Sequence, residues 1–596
     1  MDTVIYYLIG IPFIAGLVCL ILPCKWKNLI WAVTFDVCLV LFGYFLYCFD
    51  GRPVLTGNLF VWDGLTNVTL FGISFFGLMI SLYSFNLTGD FLNRYYGLLL
   101  LTVAAGIGVA VSNNLLLMAV FWGILAITLY LMINLGGPEA AYPAKKTLIM
   151  AGGSDSFLIL GIAIVWMLTG VLNITDMHIE IDRTLAAFGF LCFVVAAFTK
   201  AGAMPFHSWI PEIAEKAPVS VMAFLPASID KLLGIYLLAR ICLNIFSYHE
   251  TMWFLLRLAG SLTIVCAVFM ALIQHNMKKL LAYHAVSQVG YMVLGIVSAN
   301  PVGIAGGLFH MMNHAIYKCC LFLGAGSVED RARTTDLDNL GGLAGVMPIT
   351  FFSFLFASFA ISGIPPFNGF FSKWMIYQGL VEAGKSGEPS WILWIVMALI
   401  GSGLTLASFM KIIHAVFLGQ KSSGIKEKNI KEVHWTMFVP TLVLSLLCLC
   451  FGLFYFQVPV VKFLMPIMRI DGIEHLLNLE LPLFLIIVGI ILGLIVYPLL
   501  VPKKKRIAPA FIGGETQEEN MRVSGTEFYN AIKDMRFLKT MYIAAEKKFT
   551  DLYEVMKSIV SYFTEGFRIL HTGILGTYLT WILFGMLVFL YIFIKW

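Results

Sequence analysis

The sequence predicts an all-α polytopic membrane protein of about 16 transmembrane helices, with two inverted five-helix repeats that contain broken helices and an amphipathic lateral helix near the end of the chain. Three observations carry this. Of 596 residues, 60% are hydrophobic and 12% charged, with mean hydropathy +0.89, whereas ordinary globular domains carry about 25% charged residues. Apolar runs of roughly 18 to 25 residues recur from end to end, each long enough to cross ~30 Å of hydrocarbon as a helix. Two of these runs are interrupted by prolines beside a lysine.

The runs lie near 4–22, 28–48, 62–86, 97–112, 114–135, 147–169, 185–203, 217–244, 253–274, 280–298, 303–325, 345–382 (interrupted), 391–418, 434–456, 481–501 and 573–594. The first starts almost at Met1 without a basic region or small-residue cleavage site, so it reads as a retained span. With the N-terminus outside, the inner loops hold Lys25, Lys27, Arg94, Lys145, Lys146, Lys278, Lys279, Arg331, Arg333, Lys421, Lys426, Lys428, Lys431 and the run Lys503 to Arg506, and the outer loops hold few bases. The positive-inside rule then places both termini outside a bacterial or archaeal cytoplasmic membrane. The net charge of +5 is spread over those loops, which argues for orientation rather than for nucleic acid. No C-x-x-C occurs among the 11 cysteines, so a cluster or zinc site built by this chain alone is not expected.

In "FTKAGAMPFHSWIPEIAEKAPVS", Pro205 and Pro211 interrupt a span just after Lys200; in "ISGIPPFNGFFSKWMIY", Pro365 and Pro366 interrupt one just before Lys373. Mirror-related broken helices mark an inverted repeat with its site near the midplane. The chain therefore divides into spans one to three (1–96), a first repeat (97–244), a second repeat (253–418), spans fourteen and fifteen (434–501), a lateral helix on the cytoplasmic side (526–571) and a final span (573–594). The lateral stretch mixes charge with apolar residues at near-helical spacing and contains no proline. As one helix, its ~45 residues would reach roughly 65 Å; a soluble tail is the competing reading.

An ionisable group at the bilayer centre costs at least ~2.5 to 3.5 kcal/mol, and such groups usually face a cavity and carry function. The candidates are Asp155, Lys200, Asp230, Lys231, His310, His314, Lys318, Lys373, Lys411 and His414, with His207 at the first break. His310, His314 and Lys318 recur at i, i+4 and i+8 and share one helix face. Two histidines at that spacing suit zinc, but Met311 and Met312 stand where the base of H-E-x-x-H would be. A proton relay suits the set better, since imidazole gives and takes protons near neutral pH. Histidines satisfied by packing, and a structural His207, are the bland alternatives.

"FTKAGAMPFHSWIPEIAEKAPVSV", "NMKKLLAYHAVSQVGYMVLGI", "HMMNHAIYKCCLFLGAGSV" and "SGIPPFNGFFSKWMI" closely resemble the signature stretches of the antiporter-like subunits shared by respiratory complex I, Mrp sodium/proton antiporters and membrane-bound group 4 nickel–iron hydrogenases. The resemblance implies fourteen core helices containing the two repeats. It assigns proton translocation to Lys200, Lys373 and the central His310, His314 and Lys318, and an acidic position to Asp155; His207, Lys411 and His414 stand beside these as possible accessories on their place in the spans alone. Two departures stand out. Relatives carry Phe-Trp-Glu in the fifth helix, whose glutamate pairs with the lysine equivalent to Lys200, whereas this chain reads "AVFWGILAITLY", with Gly123 in the glutamate's place. In the eighth helix, Asp230 stands next to Lys231. Helix neighbours are ~100° apart and do not face each other, so each needs a partner elsewhere; Asp230 is expected to supply the lost acid to Lys200, with Asp155 as its rival, and Lys231 to lead toward His310 and His314.

The phrasing "DKLLGIYLLAR" looks most like the large membrane subunit of an Ech-type energy-converting hydrogenase. On that likeness the chain is a proton-translocating subunit of a redox-driven complex with no redox centre of its own. A nickel–iron centre and iron–sulfur clusters are then expected in partner subunits, alongside further membrane and peripheral subunits. An Mrp-type Na+/H+ antiporter subunit or a complex I-like NADH/quinone or ferredoxin dehydrogenase subunit is the alternative, and H+ against Na+ stays open. A mere membrane anchor is disfavoured, because an idle polar axis would keep its insertion cost.

Overall fold

The computed structural model describes residues 2–48, 55–468 and 525–595, apart from positions 57, 88, 90, 427, 547, 549, 550 and 572, together with scattered positions between 484 and 499. The expected fifteenth span, 481–501, and the polar stretch after it lie outside the described residues. Contacts divide the chain into two units, Met1–Met535 and Arg536–Trp596.

The first unit is a helical bundle. Its helices are α1 (Asp2–Ile21), α2 (Lys27–Tyr47), α3 (Gly64–Tyr83), α4 (Leu92–Val111), α5 (Leu115–Asn134), α6 (Ala141–Thr169) and α7 (Thr184–Ala201). After a short helix, Trp209–Ala214, come α8 (Val219–Ile245), α9 (Glu250–Leu272), α10 (Met277–Ile296), α11 (Pro301–Ala332), α12 (Pro348–Ser362), α13 (Asn368–Lys385), α14 (Trp391–Leu418), α15 (Trp435–Leu453) and α16 (Phe456–Ile467). Strand structure among the described residues is confined to the two-residue pair Leu55–Thr56 and Val61–Trp62. Twelve described helices are long and apolar enough to cross a membrane. Helices α10 and α11 run through the middle beside α8, which is buried from Val219 to Ile241.

Local chemistry sets the helix ends. Asp63, Asn114, Asn276 and Asn300 accept backbone N–H groups at the starts of α3, α5, α10 and α11, which satisfies donors that a helix cannot. Gly202 and Gly363 close α7 and α12 in the left-handed conformation, each with φ of +77°, which glycine adopts without a Cβ penalty. The first break comprises the turn 202–208 and the short helix. Pro211 does not interrupt anything there; it sits in the first turn of Trp209–Ala214, where proline is tolerated.

Two other expectations change. Lys146 is no loop residue: α6 is 29 residues long, and the side chain is buried against Glu212, 2.9 Å away. Lys278 likewise opens α10 and reaches Glu329 at 2.8 Å. The stretch 526–571 is not one helix. Gly525–Tyr529 and Asn530–Lys533 belong to the first unit, and the second begins with α17 (Arg536–Glu546) and α18 (Leu552–Leu570). Lys548 has a left-handed φ of +57°, and Asp551 caps α18 through Tyr553 N–H, so the chain turns there. Both helices are amphipathic; α18 carries Val555, Ile559, Phe563 and Phe567 on one stripe and Glu554, Lys557, Ser561 and Arg568 elsewhere. It is followed by α19 (Leu575–Lys595), an apolar helix of membrane-spanning length.

Candidate functional site

Proline shapes the first part of the site. Pro226 has no N–H to donate, and α8 widens into a π turn over Leu225–Ile229 immediately before Asp230. Asp230 is wholly buried and Lys200 is 4% exposed; the Asp230 Oδ1 stands 3.1 Å from the Lys200 Nζ. The Lys200 ammonium also lies 5.6 Å over the ring of Trp122 on α5. An added Cβ at Gly123, the next residue, would meet nothing within 4 Å. Asp155 sits half-exposed on α6, near Trp122 and within electrostatic reach of Lys200. The buried acid that touches Lys200 is therefore Asp230.

Lys231 turns away from this pair and donates to the Ala201 carbonyl, 2.7 Å away, at the end of α7. Lys373 does the same at the second break, donating to the Ile361 carbonyl of α12 at 2.9 Å, with its ammonium 4.8 Å from the Tyr291 ring. Helix C-termini carry partial negative charge, and each break thus presents a carbonyl to a buried lysine. Lys318 donates to the Leu281 carbonyl at 2.9 Å.

Between the breaks lies α11. His310 shares hydrogen bonds with Ser372 through Nδ1 (2.9 Å) and with Gln288 through Nε2 (3.1 Å), and Tyr317 Oη is 3.3 Å from that Nε2. His314 packs edge-on against Tyr317, within electrostatic reach of Lys231, Lys318 and His310. Asn313 and Asn368 are hydrogen-bonded to each other and fix α11 to the start of α13. Neither ring nitrogen of His314 has a protein hydrogen bond, and none meets the Asp230 carboxylate or the Lys200 ammonium outside their mutual contact.

Lys200, Asp230, Lys231, His310, His314, Lys318 and Lys373 are all buried in the bundle; Lys200 touches Asp230, the charges of Lys231, Lys318 and His310 act on His314, and that of Lys373 acts on His310, so they make up a polar line between the breaks. His207 lies half-buried in the first break, Lys411 is buried at the end of α14, and His414 is half-exposed one turn further on. Sequence reasoning missed His284, which is buried on α10 and hydrogen-bonded to Ser408 at 2.7 Å, along with the partners Gln288, Ser372 and Tyr317. The signal was present: His284 and Gln288 are one helical turn apart in an otherwise apolar span.

Ion pairs at one end of the bundle are separate from this line. Arg240 grips Asp63 with two bonds, 2.6 and 2.8 Å, and Arg257 pairs with Glu388. Burial pushes the Asp63 carboxyl upward, but Arg240 and Thr66 outweigh it and hold its pKa below the usual carboxylate range.

The family model described as NADH:quinone oxidoreductase/Mrp antiporter, TM matches residues 112–405. An uncharacterised protein of Methanocaldococcus jannaschii is 35% identical over 61% of this chain and 75% of its own length. A Na(+)/H(+) antiporter protein of Staphylococcus haemolyticus is 30% identical over 66% of this chain, and the chain spans about half of that relative, 52%. NADH-quinone oxidoreductase subunit N of Desulforudis audaxviator is 29% identical over 70% of this chain and 87% of its own. Among solved structures, a chain of the Mrp complex from Dietzia sp. DQ12-45-1b (TM-score 0.70, 23% identity, 77% of this chain and 96% of that one) and a chain of the archaeal membrane-bound sulfane sulfur reductase (TM-score 0.70, 23% identity, 79% and 99%) share the fold.

Proposed function

Because the chain belongs to the NADH:quinone oxidoreductase/Mrp antiporter family of transmembrane subunits, we propose that it translocates protons along the buried line within a multisubunit membrane complex. The observation that supports this reading most is the Lys200–Asp230 pair. A buried acid and base in contact can exist charged or, after proton exchange, neutral, and a nearby change of charge shifts that balance. When Lys200 is pulled toward Asp230, less positive charge acts on the rest of the line; when the pair is parted, Lys200 repels protons on Lys231 and His314.

His314, Asp230 and Lys200 lack other protein hydrogen bonds, and buried polar groups of that kind draw in ordered solvent. Solvent there would join Lys231, His314, His310 and Lys318 to Lys373. The two breaks, each a glycine-closed helix end with a lysine on its carbonyl, support the inverted-repeat reading; in it, half-channels would meet the line at these lysines.

In this reading the driving reaction belongs to partner subunits. An energy-converting hydrogenase of Ech type remains our preferred setting, on the resemblance of the eighth-helix phrase. The Mrp setting has comparable support, in the Na(+)/H(+) antiporter relatives and the Mrp-complex fold match. Purifying the full chain gently and identifying what accompanies it separates them: nickel with iron–sulfur subunits supports the first, small metal-free membrane proteins the second. The reading itself is tested by acidification of vesicles containing the complex. Asp230→Asn is expected to lower the rate at least about tenfold, the scale of a lost proton-transfer group; an unchanged rate overturns it.

A further inference from the structure

The line does not end at Lys318. Its neighbour His284 lies within electrostatic reach of Lys318, Lys373 and Lys411 together. The Phe409 ring joins two of these groups: the His284 ring centroid is 4.9 Å from it and the Lys318 ammonium 5.6 Å over it. His284 Nε2 is 2.7 Å from Ser408 Oγ, while its Nδ1 has no protein hydrogen bond. One turn beyond Ser408, Lys411 donates to the carbonyls of Leu272 (2.7 Å) and Gln274 (2.8 Å), where α9 ends. The residue after Gln274 is His275, which is exposed and 2.7 Å from Asp338, and the Asp338 charge acts on Lys411.

One segment covers this place. Thr526 is buried and donates its hydroxyl to Asp338, Gly525 packs on the Lys411 backbone and Ala415, and the Tyr529 hydroxyl bonds to the Ala407 carbonyl at 2.8 Å. These contacts explain why residues 525–535 group with the bundle and not with the amphipathic helix that follows.

We propose that the polar line forks at Lys318, with a branch through His284, Ser408 and Lys411 to Asp338 and His275 at the bundle surface, and that Gly525–Tyr529 is the cap over the mouth of this branch. The branch carries protons between the surface pair and the centre. The chain leading into the lateral stretch is thereby placed to regulate access, because displacing it bares the route to Lys411. The inference rests on the proton-translocation reading for its transport arm; its accessibility arm does not.

A purely structural Lys411 would cap the end of α9, and arginine could do the same. Arginine keeps the charge and the donors but does not release its proton. In vesicles containing the complete complex, Lys411→Arg and His284→Gln are each expected to lower proton translocation about tenfold or more, with melting of the complex unchanged. A wild-type rate in both variants overturns the branch. If Asp230→Asn and Lys373→Met also translocate normally, it is the functional reading that has failed.

The cap is tested without transport. Lys411→Cys in the full chain is treated with a membrane-impermeant anionic thiol reagent, after subtraction of the parent chain's reactivity. Adding Thr526→Val, which removes the hydroxyl held by Asp338, is expected to speed labelling about tenfold or more, the scale of one lost charge-assisted hydrogen bond. Equal labelling with and without Thr526→Val, whether fast or absent, overturns the cap.

Discussion

The two broken spans are built alike and charged differently. Each closes a helix on a left-handed glycine and offers the freed carbonyl end to a lysine, Ala201 to Lys231 and Ile361 to Lys373. At the first break a second lysine, Lys200, stands 3.1 Å from Asp230. At the second, Lys373 faces the Tyr291 ring and no acid contacts it among the described residues. The first break thus holds a separable pair of opposite charges, which can answer a field; the second holds a single cation, which can only gain or lose its proton. If the chain translocates protons as proposed, the difference assigns the switch to the first half and the simple carrier to the second.

The largest test removes one member of the pair. Taking away either partner of a buried ion pair leaves an uncompensated charge and costs about 3–5 kcal/mol, whereas replacing both by apolar residues is often neutral. Lys200→Met and Asp230→Leu are each expected to destabilise the purified chain by that order in denaturant titrations, and the double variant to recover most of it. Additive losses would mean that the pair is not coupled.

Next in size is the clamp Arg240–Asp63, which ties the first half to α3, whereas Arg257–Glu388 ties α9 to the α13–α14 loop within the second half. The Asp63 carboxyl titrates below its unfolded value, so its contribution is present in full above the unfolded carboxylate range and is lost as pH falls through the folded value. Asp63→Asn should cost about 1.5–3 kcal/mol at neutral pH, the range for bonds to charged groups. In melting scans between pH 7 and about pH 3, the gap between parent and variant should close only at the acid end. Lys373→Met follows. It strands no partner charge but leaves the Ile361 carbonyl without its donor, so it is expected to cost about 1–3 kcal/mol while stopping transport, whereas a purely structural lysine would lose stability alone.

The contrast between the halves was only partly legible in the sequence. Most of the described helices, both breaks and the burial of Lys200, Asp230, Lys231, His310, His314, Lys318 and Lys373 could be read there, because each rests on local pattern: apolar length, proline with glycine, and charges where none should be. The pairing of Lys200 could not. Asp155 and Asp230 lie on different helices at similar depth, and the π turn before Asp230 that sets its direction leaves no periodic trace. His284 escaped for a related reason, as its partners Ser408 and Phe409 are some 120 residues away. The uniform composition of the lateral stretch points to one helix, whereas its division is set by particular contacts, among them Thr526 on Asp338 and Asp551 on Tyr553 N–H.

The smallest expected effects sharpen the first half alone. Asp155 is half-buried and makes no ion pair with Lys200 within 4 Å, so Asp155→Asn, which strands no buried partner, should cost less stability than Asp230→Asn. If it instead matched Asp230→Asn in both stability and transport, the acid of the switch would be shared. Gly123 supplies the complementary probe. Open space surrounds its Cβ position, and the Trp122 ring before it already lies beneath Lys200. Leaving a mid-helix glycine gains about 0.5–1 kcal/mol for any ordinary side chain, so Gly123→Gln is the control for Gly123→Glu. In an Asp230→Asn background, Gly123→Glu should restore part of the lost translocation and Gly123→Gln none. Equal behaviour of the two would mean that Lys200 is held by the geometry of α8 and accepts no carboxylate from α5.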